Sequence, residues 1–182
     1  MNKTLQHSIQ QCQSGNRKAF KVIYESFANY IYSICLRYEI PEQDRKDVMQ
    51  EIFAEIYLSL KKYDEQKGEF RHWLRGVTVH VIFAYWRKRK KKHFPTLELK
   101  EVEDLSEEDA SSHFDQEALK QNIDQLPSGY RMVVNLFMID GYSHKEIAEM
   151  LQIKESTSRS QLTRAIRQLK SRLQKRKTYE TI

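Results

Sequence analysis

Glycine and proline are scarce, five and three in 182 residues. That supply is too small for the tight turns of an all-β fold, while Leu, Ile, Lys, Glu, Gln and Arg recur throughout, so an all-α chain is expected. Cysteine numbers two. Cys12 and Cys35 lack metal-type spacing and read as incidental thiols in a reduced cytoplasm rather than as a disulfide framework. No apolar run reaches the length of a membrane span, and MNKTLQHSIQQCQ lacks the apolar core of a signal peptide; a cytoplasmic protein without membrane insertion is expected. His7, His72, His80, His93, His113 and His144 show no HExxH or comparable spacing, and no glycine-rich phosphate loop is present. The scattered acids form no metal pair, so neither catalysis nor a cofactor is expected.

What the chain does have is an uneven charge. The net charge is +6, yet the stretch from His93 to Glu117 carries nine acids against the single base Lys100. Two basic bodies therefore flank an acidic strap. Basic bodies attract polyanions, and the strap is too acidic and too poor in apolar residues to pack a core. The expected organisation is two small helical domains, 1–93 and 115–182, joined by an acidic flexible linker at 94–114. A hydrophobic fraction of 40% is enough for cores of modest size.

In the first body, Leu5 and Ile9 suggest a short helix ended by Gly15-Asn16. Phe20, Ile23, Tyr24, Phe27, Tyr30, Ile31, Ile34 and Tyr38 then recur every three or four residues, as in a core helix. Glu39-Ile40-Pro41 ends it, and Pro41 suits the opening of a helix running to about Lys62. Val48, Ile52, Phe53, Ile56 and Leu60 make that helix's buried face. Asp47, Gln50, Glu51 and Glu55 make another, either a solvated face or a docking surface for a basic helical partner. After the polar loop YDEQKGEF, the residues Phe70, Trp73, Leu74, Val77, Val81 and Tyr85 fall at helical spacing. Trp86 is followed by six consecutive bases, Arg87 to Lys92. Such a run serves as a solvated tail or a localisation signal, but aromatics beside bases are also what a single-stranded nucleic-acid site requires.

In the second body, Phe114, Ala118, Leu119, Ile123 and Leu126 begin a helix that stops before Pro127, and Tyr130 to Ile139 make another, with Val133, Val134, Phe137 and Met138 available to pack. From Tyr142 to Leu169 the pattern is a helix-turn-helix. Gly141 ends one helix and Ser143 caps the next, with Glu146 placed to complete a capping box. Ile147, Ala148 and Leu151 form one apolar stripe; Leu162, Ile166 and Leu169 form a second. The outward face of the last helix offers Thr157, Arg159, Ser160, Thr163, Arg164 and Arg167, donors suited to base edges and phosphates in a major groove. A helical hairpin with an ordinary basic surface would look similar.

Laid out in this order, the chain resembles a bacterial RNA polymerase sigma factor of the extracytoplasmic-function (ECF) class. QDRKDVMQEIFAEIY is similar to the family's helix that docks on the clamp helices of core polymerase, which implies that role for Asp47, Gln50, Glu51 and Phe53. FRHWLRGV and the basic helix end are similar to the part that melts and captures the -10 promoter element, with Tyr63 to Glu69 at the base-capturing loop. The implied -10 residues are Tyr63, Phe70, Trp73, His80, Trp86, Arg87, Lys88 and Arg89. The segment from Ile123 to Lys170 is similar to the domain that reads the -35 element, with Arg159, Ser160, Thr163 and Arg164 on its contacting face. The resemblance implies core RNA polymerase, promoter DNA and an anti-sigma factor as partners. This sequence departs from the family pattern at Gln152, where glycine is usual, at Lys154, where a capping hydroxyl is common, at Ser158, where an apolar residue packs, and at His80, where asparagine is frequent. The alternative is a stand-alone helix-turn-helix regulator, which would dimerise on paired half-sites and would not need an aromatic and basic helix.

Overall fold

A computed structural model describes residues 3–89 and 116–179; the acidic segment 94–114 lies outside the described residues. The chain divides into two compact units, Met1–Lys92 and His93–Ile182. All regular elements among the described residues are helical.

The first unit holds α1 (Lys3–Gln13), α2 (Phe20–Arg37), α3 (Glu42–Ser59) and α4 (Phe70–Arg89). Its core is built from Ile23, Ile31, Ile34, Cys35 and Tyr38 of α2 and its end, Val48, Ile52 and Ile56 of α3, and Leu74, Val79, Ile82 and Phe83 of α4. Each such side chain contributes about 1.5 to 3 kcal/mol on burial. Both cysteines are buried thiols, and burial pushes Cys35 up to about 11.

The buried face of α4 differs from the expected one. Phe70 and Leu74 are buried, but they continue into Thr78, Val79, Ile82, Phe83 and Trp86, while Trp73, Val77, Val81 and Tyr85 are half-buried. The cause is that α4 packs against both α2 and α3, so two adjacent stripes are covered instead of one. Thr78 enters the core without an unpaired hydroxyl, since its Oγ1 donates to the Leu74 carbonyl at 2.8 Å.

The second unit holds α5 (Gln116–Asp124), α6 (Ser128–Val134), a π-helical turn (Asn135–Ile139), α7 (His144–Leu151) and α8 (Glu155–Tyr179). Val133 and Val134 are buried as expected, together with Met132 and Leu136, whereas Phe137 and Met138 lie outside the core, 38% and 60% exposed. The π turn is responsible: Asp140 N–H reaches back to the Asn135 carbonyl at 2.9 Å, and the wider turn shifts the register so that Leu136 points inward. On α8 the buried line is Ser158, Leu162, Ala165, Leu169 and Leu173. Ile166, expected on that stripe, is half-buried.

Gly141 takes φ of +78° between the π turn and α7, and the Tyr142 N–H bonds the Leu136 carbonyl at 2.9 Å. α7 opens with the capping box: Ser143 N–H donates to Glu146 Oε2 at 2.8 Å and Glu146 N–H to Ser143 Oγ at 3.3 Å. At its other end Gln152 has φ 55° and ψ 47°, the left-handed conformation, which costs a residue with a Cβ about 1 to 2 kcal/mol. Gln152→Gly is therefore expected to raise stability by about 1 kcal/mol, the remainder being offset by glycine's larger unfolded-state entropy. Chemical denaturation checks this as a higher midpoint at an unchanged slope.

Candidate functional site

The outward face of α3 carries Asp47, Gln50, Glu51, Ala54 and Glu55, all exposed, and ends in Leu58, 71% exposed. Phe53 is not on this face. It is buried, with its ring 4.4 Å from Tyr24 and 6.3 Å from Phe20, because its position faces α2. It instead floors a groove of about 520 Å³ between α2 and α3, walled by Tyr24, Tyr32 and Met49 with Glu42, Arg45, Lys46 and Gln50 around it. Tyr24 and Tyr32 are 48% and 40% exposed. Sequence reasoning put Tyr24 in the core and overlooked Tyr32 and Met49. The available signal was that α2 carries more large apolar residues than one helix face can bury.

On α4, two of the residues expected to meet DNA belong to the core. Phe70 is 1% exposed and Trp86 8%, and the Trp86 indole N–H donates to the Tyr38 carbonyl at 3.2 Å. Neither presents a face on which a base could stack. Trp73, His80 and Arg87 do come together, lining a groove of about 580 Å³ with Val77, Val81 and the α3 residues Glu55 and Ser59. Arg87 and Lys88 are exposed. Arg89 is bound to Asp44 of α3 through both carboxylate oxygens, at 2.8 and 3.0 Å, and lies over the Tyr85 ring. The Tyr85 hydroxyl donates to the same carboxylate at 2.9 Å; burial first, then this bond, pushes it up to about 12. A guanidinium held in a bidentate fork is less available to a phosphate than its two neighbours. Lys90, Lys91 and Lys92, the rest of the basic run, lie outside the described residues.

Between α3 and α4 lies the loop Tyr63 to Glu69. Tyr63 is buried, with its ring 5.0 Å from Phe70 and 5.5 Å from Trp73, while Glu65 to Glu69 are exposed. The Asp64 side chain accepts from Gln66 N–H at 3.0 Å, and the Tyr63 hydroxyl donates to the Gly68 carbonyl at 3.2 Å. Gly68 has φ of +149° with open space around its missing Cβ, so backbone conformation rather than crowding favours glycine there. A hollow of about 630 Å³ runs beside this loop, with Phe27, Lys67 and Arg71 on its walls.

In the second unit, Arg159 and Thr163 stand exposed on α8, and Thr157, Ser160, Arg164 and Arg167 are half-buried along the same outward side. Arg159 pairs with Glu155 one turn earlier, and Thr163 bonds the Arg159 carbonyl. Ser158, which replaces the usual apolar contact between the two helices, is fully buried and hydrogen-bonded to His144 Nδ1 at 2.9 Å. The His144 ring stacks on Phe137 at 4.4 Å. A polar bridge thus substitutes for an apolar contact across the helix-turn-helix, and sequence reasoning did not pair these residues.

Burial, followed by the charge of Arg159, holds His144 below the ordinary histidine range, with Glu155 opposing. A histidine lowered in the fold contributes stability that is present above its unfolded value of about 6.5 and is lost as pH falls through the lowered value. The melting temperature is expected to drop between pH 7.5 and pH 5, and to drop less in His144→Asn. Parallel melting curves for the two proteins across that window would count against the bridge.

Two family descriptions match the chain: Sigma-70 region 2 over residues 23–92 and Sigma-70, region 4, over residues 116–169. Between them they cover more than half of it. The chain is 26% identical to ECF RNA polymerase sigma factor SigW of Bacillus subtilis, over 95% of this chain and 98% of that protein. It is 27% identical to the ECF RNA polymerase sigma-E factor of Escherichia coli, over 91% and 92%. Among solved structures, CnrH in complex with the cytosolic domain of CnrY shares the fold at a TM-score of 0.50 and 21% identity, covering 94% of this chain and 98% of that one. With both sigma-70 regions in order and full-length relatives of one kind, the chain belongs to the sigma-70 family as an ECF sigma factor, a protein that directs RNA polymerase to promoters.

Proposed function

We propose that residues 1–93 hold core RNA polymerase and capture the -10 element, that 115–182 read the -35 element as duplex, and that 94–114 link the two. The observation that carries this is the segregation of chemistry on the first unit. Exposed acids lie along α3, while α4 presents Trp73, His80 and Arg87 along one groove. Asp47, Gln50 and Glu51 dock polymerase, with Phe53 acting from beneath as the floor of the neighbouring groove. Trp73, His80, Arg87 and Lys88 take the unstacked -10 strand, and the loop from Asp64 to Glu69 receives a flipped base. Tyr63, buried against Phe70 and Trp73, supports that loop from behind rather than meeting DNA. Thr157, Arg159, Ser160, Thr163, Arg164 and Arg167 face the -35 major groove. An anti-sigma factor is the expected regulator, and the protein works in the cytoplasm without catalysing a reaction or using a cofactor.

Opening DNA costs a few kcal/mol for each unstacked base, about what one stacking contact returns, so a single small domain has little surplus. Melting therefore waits for polymerase. The test is gel filtration of the purified protein with bacterial core RNA polymerase, followed by promoter-dependent transcription from the reconstituted complex. Co-elution and specific transcripts are expected; separate elution at low salt, with operator binding by a dimer, would establish the stand-alone regulator instead.

A further inference from the structure

The helix α1 ends before residue 23, where the matched family region begins, yet it reaches the loop between α3 and α4. Gln13, its last residue, donates from Nε2 to the Leu60 carbonyl at 3.1 Å and to the Tyr63 carbonyl at 2.9 Å. A side-chain amide has two N–H hydrogens, and both are committed here; the reversed amide would set its oxygen against two carbonyls. The Leu60 carbonyl also accepts the Tyr63 N–H at 3.1 Å, which closes the 3-10 turn Leu60–Lys62. Gln13 therefore grips both ends of that turn. Tyr63 passes the grip onward, its hydroxyl bonding the Gly68 carbonyl at 3.2 Å. A second residue of α1, Gln6, donates to Glu65 Oε2 at 3.0 Å. The helix is itself anchored by the buried side chains of Ser8, Ile9 and Cys12.

We propose that Gln13 is a positioning residue for base capture: by holding the Leu60 and Tyr63 carbonyls it sets where the loop from Asp64 to Glu69 meets a flipped -10 base. This rests on the proposed base-capturing role of that loop. A site that reads a base by hydrogen bonds must hold its groups to within about 0.5 Å, and the supporting shell supplies that precision. Lost support appears as lost discrimination between bases, with polymerase docking and -35 reading untouched.

The experiment uses the complex with core RNA polymerase and a duplex promoter library randomised over the -10 and -35 elements, with bound sequences counted. Gln13→Leu keeps the side-chain size and removes both donors. It is expected to reduce the preference for the best over the worst base at the captured -10 position by about tenfold, the scale of one well-placed base contact. Preferences at -35 should persist, and Gln13→Lys, which retains N–H donors, should restore part of the -10 preference. An unchanged -10 preference in Gln13→Leu overturns the proposal, as does an equal collapse at -10 and -35, which would mark general loss of fold. Lys67→Ala/Glu69→Ala serves as the loop control. If it alters the -10 preference while Gln13→Leu does not, the brace fails and base capture stands; if neither alters it, base capture by the loop fails as well.

Discussion

Asp47→Arg combined with Glu51→Arg is expected to abolish co-elution with core RNA polymerase while leaving the fold intact. Both side chains are exposed, one turn apart on α3, and neither contributes to the core behind Val48, Ile52 and Ile56. Their reversal should therefore leave the thermal transition where it is. At the proposed docking face the two changes would replace attraction to a basic partner with like-charge contact. Taking about 1.5 kcal/mol for each position, the lower end of couplings measured for close interfacial charge pairs, affinity falls by roughly 100-fold. Binding measured by fluorescence anisotropy at two salt concentrations would show the loss as a lower association rate and a weaker salt dependence. Full affinity in the double variant would remove this face from the docking surface.

Trp86→Ala is expected to destabilise the first unit by about 3 to 5 kcal/mol, the usual cost of truncating a buried aromatic. The side chain packs beside Tyr85 at 5.2 Å between ring centres, and its indole N–H serves the Tyr38 carbonyl, so both packing and a hydrogen bond go. Against a typical domain stability of about 5 to 15 kcal/mol, that loss consumes much of the margin. Trp73→Ala is the informative comparison. Trp73 is half-buried at the mouth of a groove, so its removal should cost less stability and more single-strand affinity. Denaturant midpoints and binding of a fluorescent single-stranded oligonucleotide, measured on both variants, separate the two roles. Weak oligonucleotide binding by a Trp86→Ala protein of unchanged midpoint would restore Trp86 to the DNA face.

The contrast between these tryptophans shows what periodicity resolves. Positions 70, 74 and 86 of α4 are buried while 73, 77 and 81 are not, and all six are apolar residues at helical spacing. Spacing identifies a helix and an apolar arc. It does not say how much of that arc the neighbours cover, because that depends on where α2 and α3 pass. The same limit applies to Phe137 and Met138, exposed by a π turn that nothing in MVVNLFMID announces, and to Arg89, whose partner Asp44 lies on another helix.

Other features were legible because their causes are local. Ser143 and Glu146 satisfy each other's backbone across one helical turn, and that bond needs no tertiary context. Gly141 takes the positive φ that ends a helix, and low glycine and proline contents forecast helices throughout. Charge segregation and motif order were enough for the resemblance that the sigma-70 matches bear out. Local backbone chemistry and linear charge pattern, then, are what the amino-acid order determined by itself. Which aromatic is core and which lines a groove, which arginine is already paired, and how Gln13 grips a turn 47 residues away were decided only when the helices packed, since each depends on contacts between segments that the chain order leaves far apart.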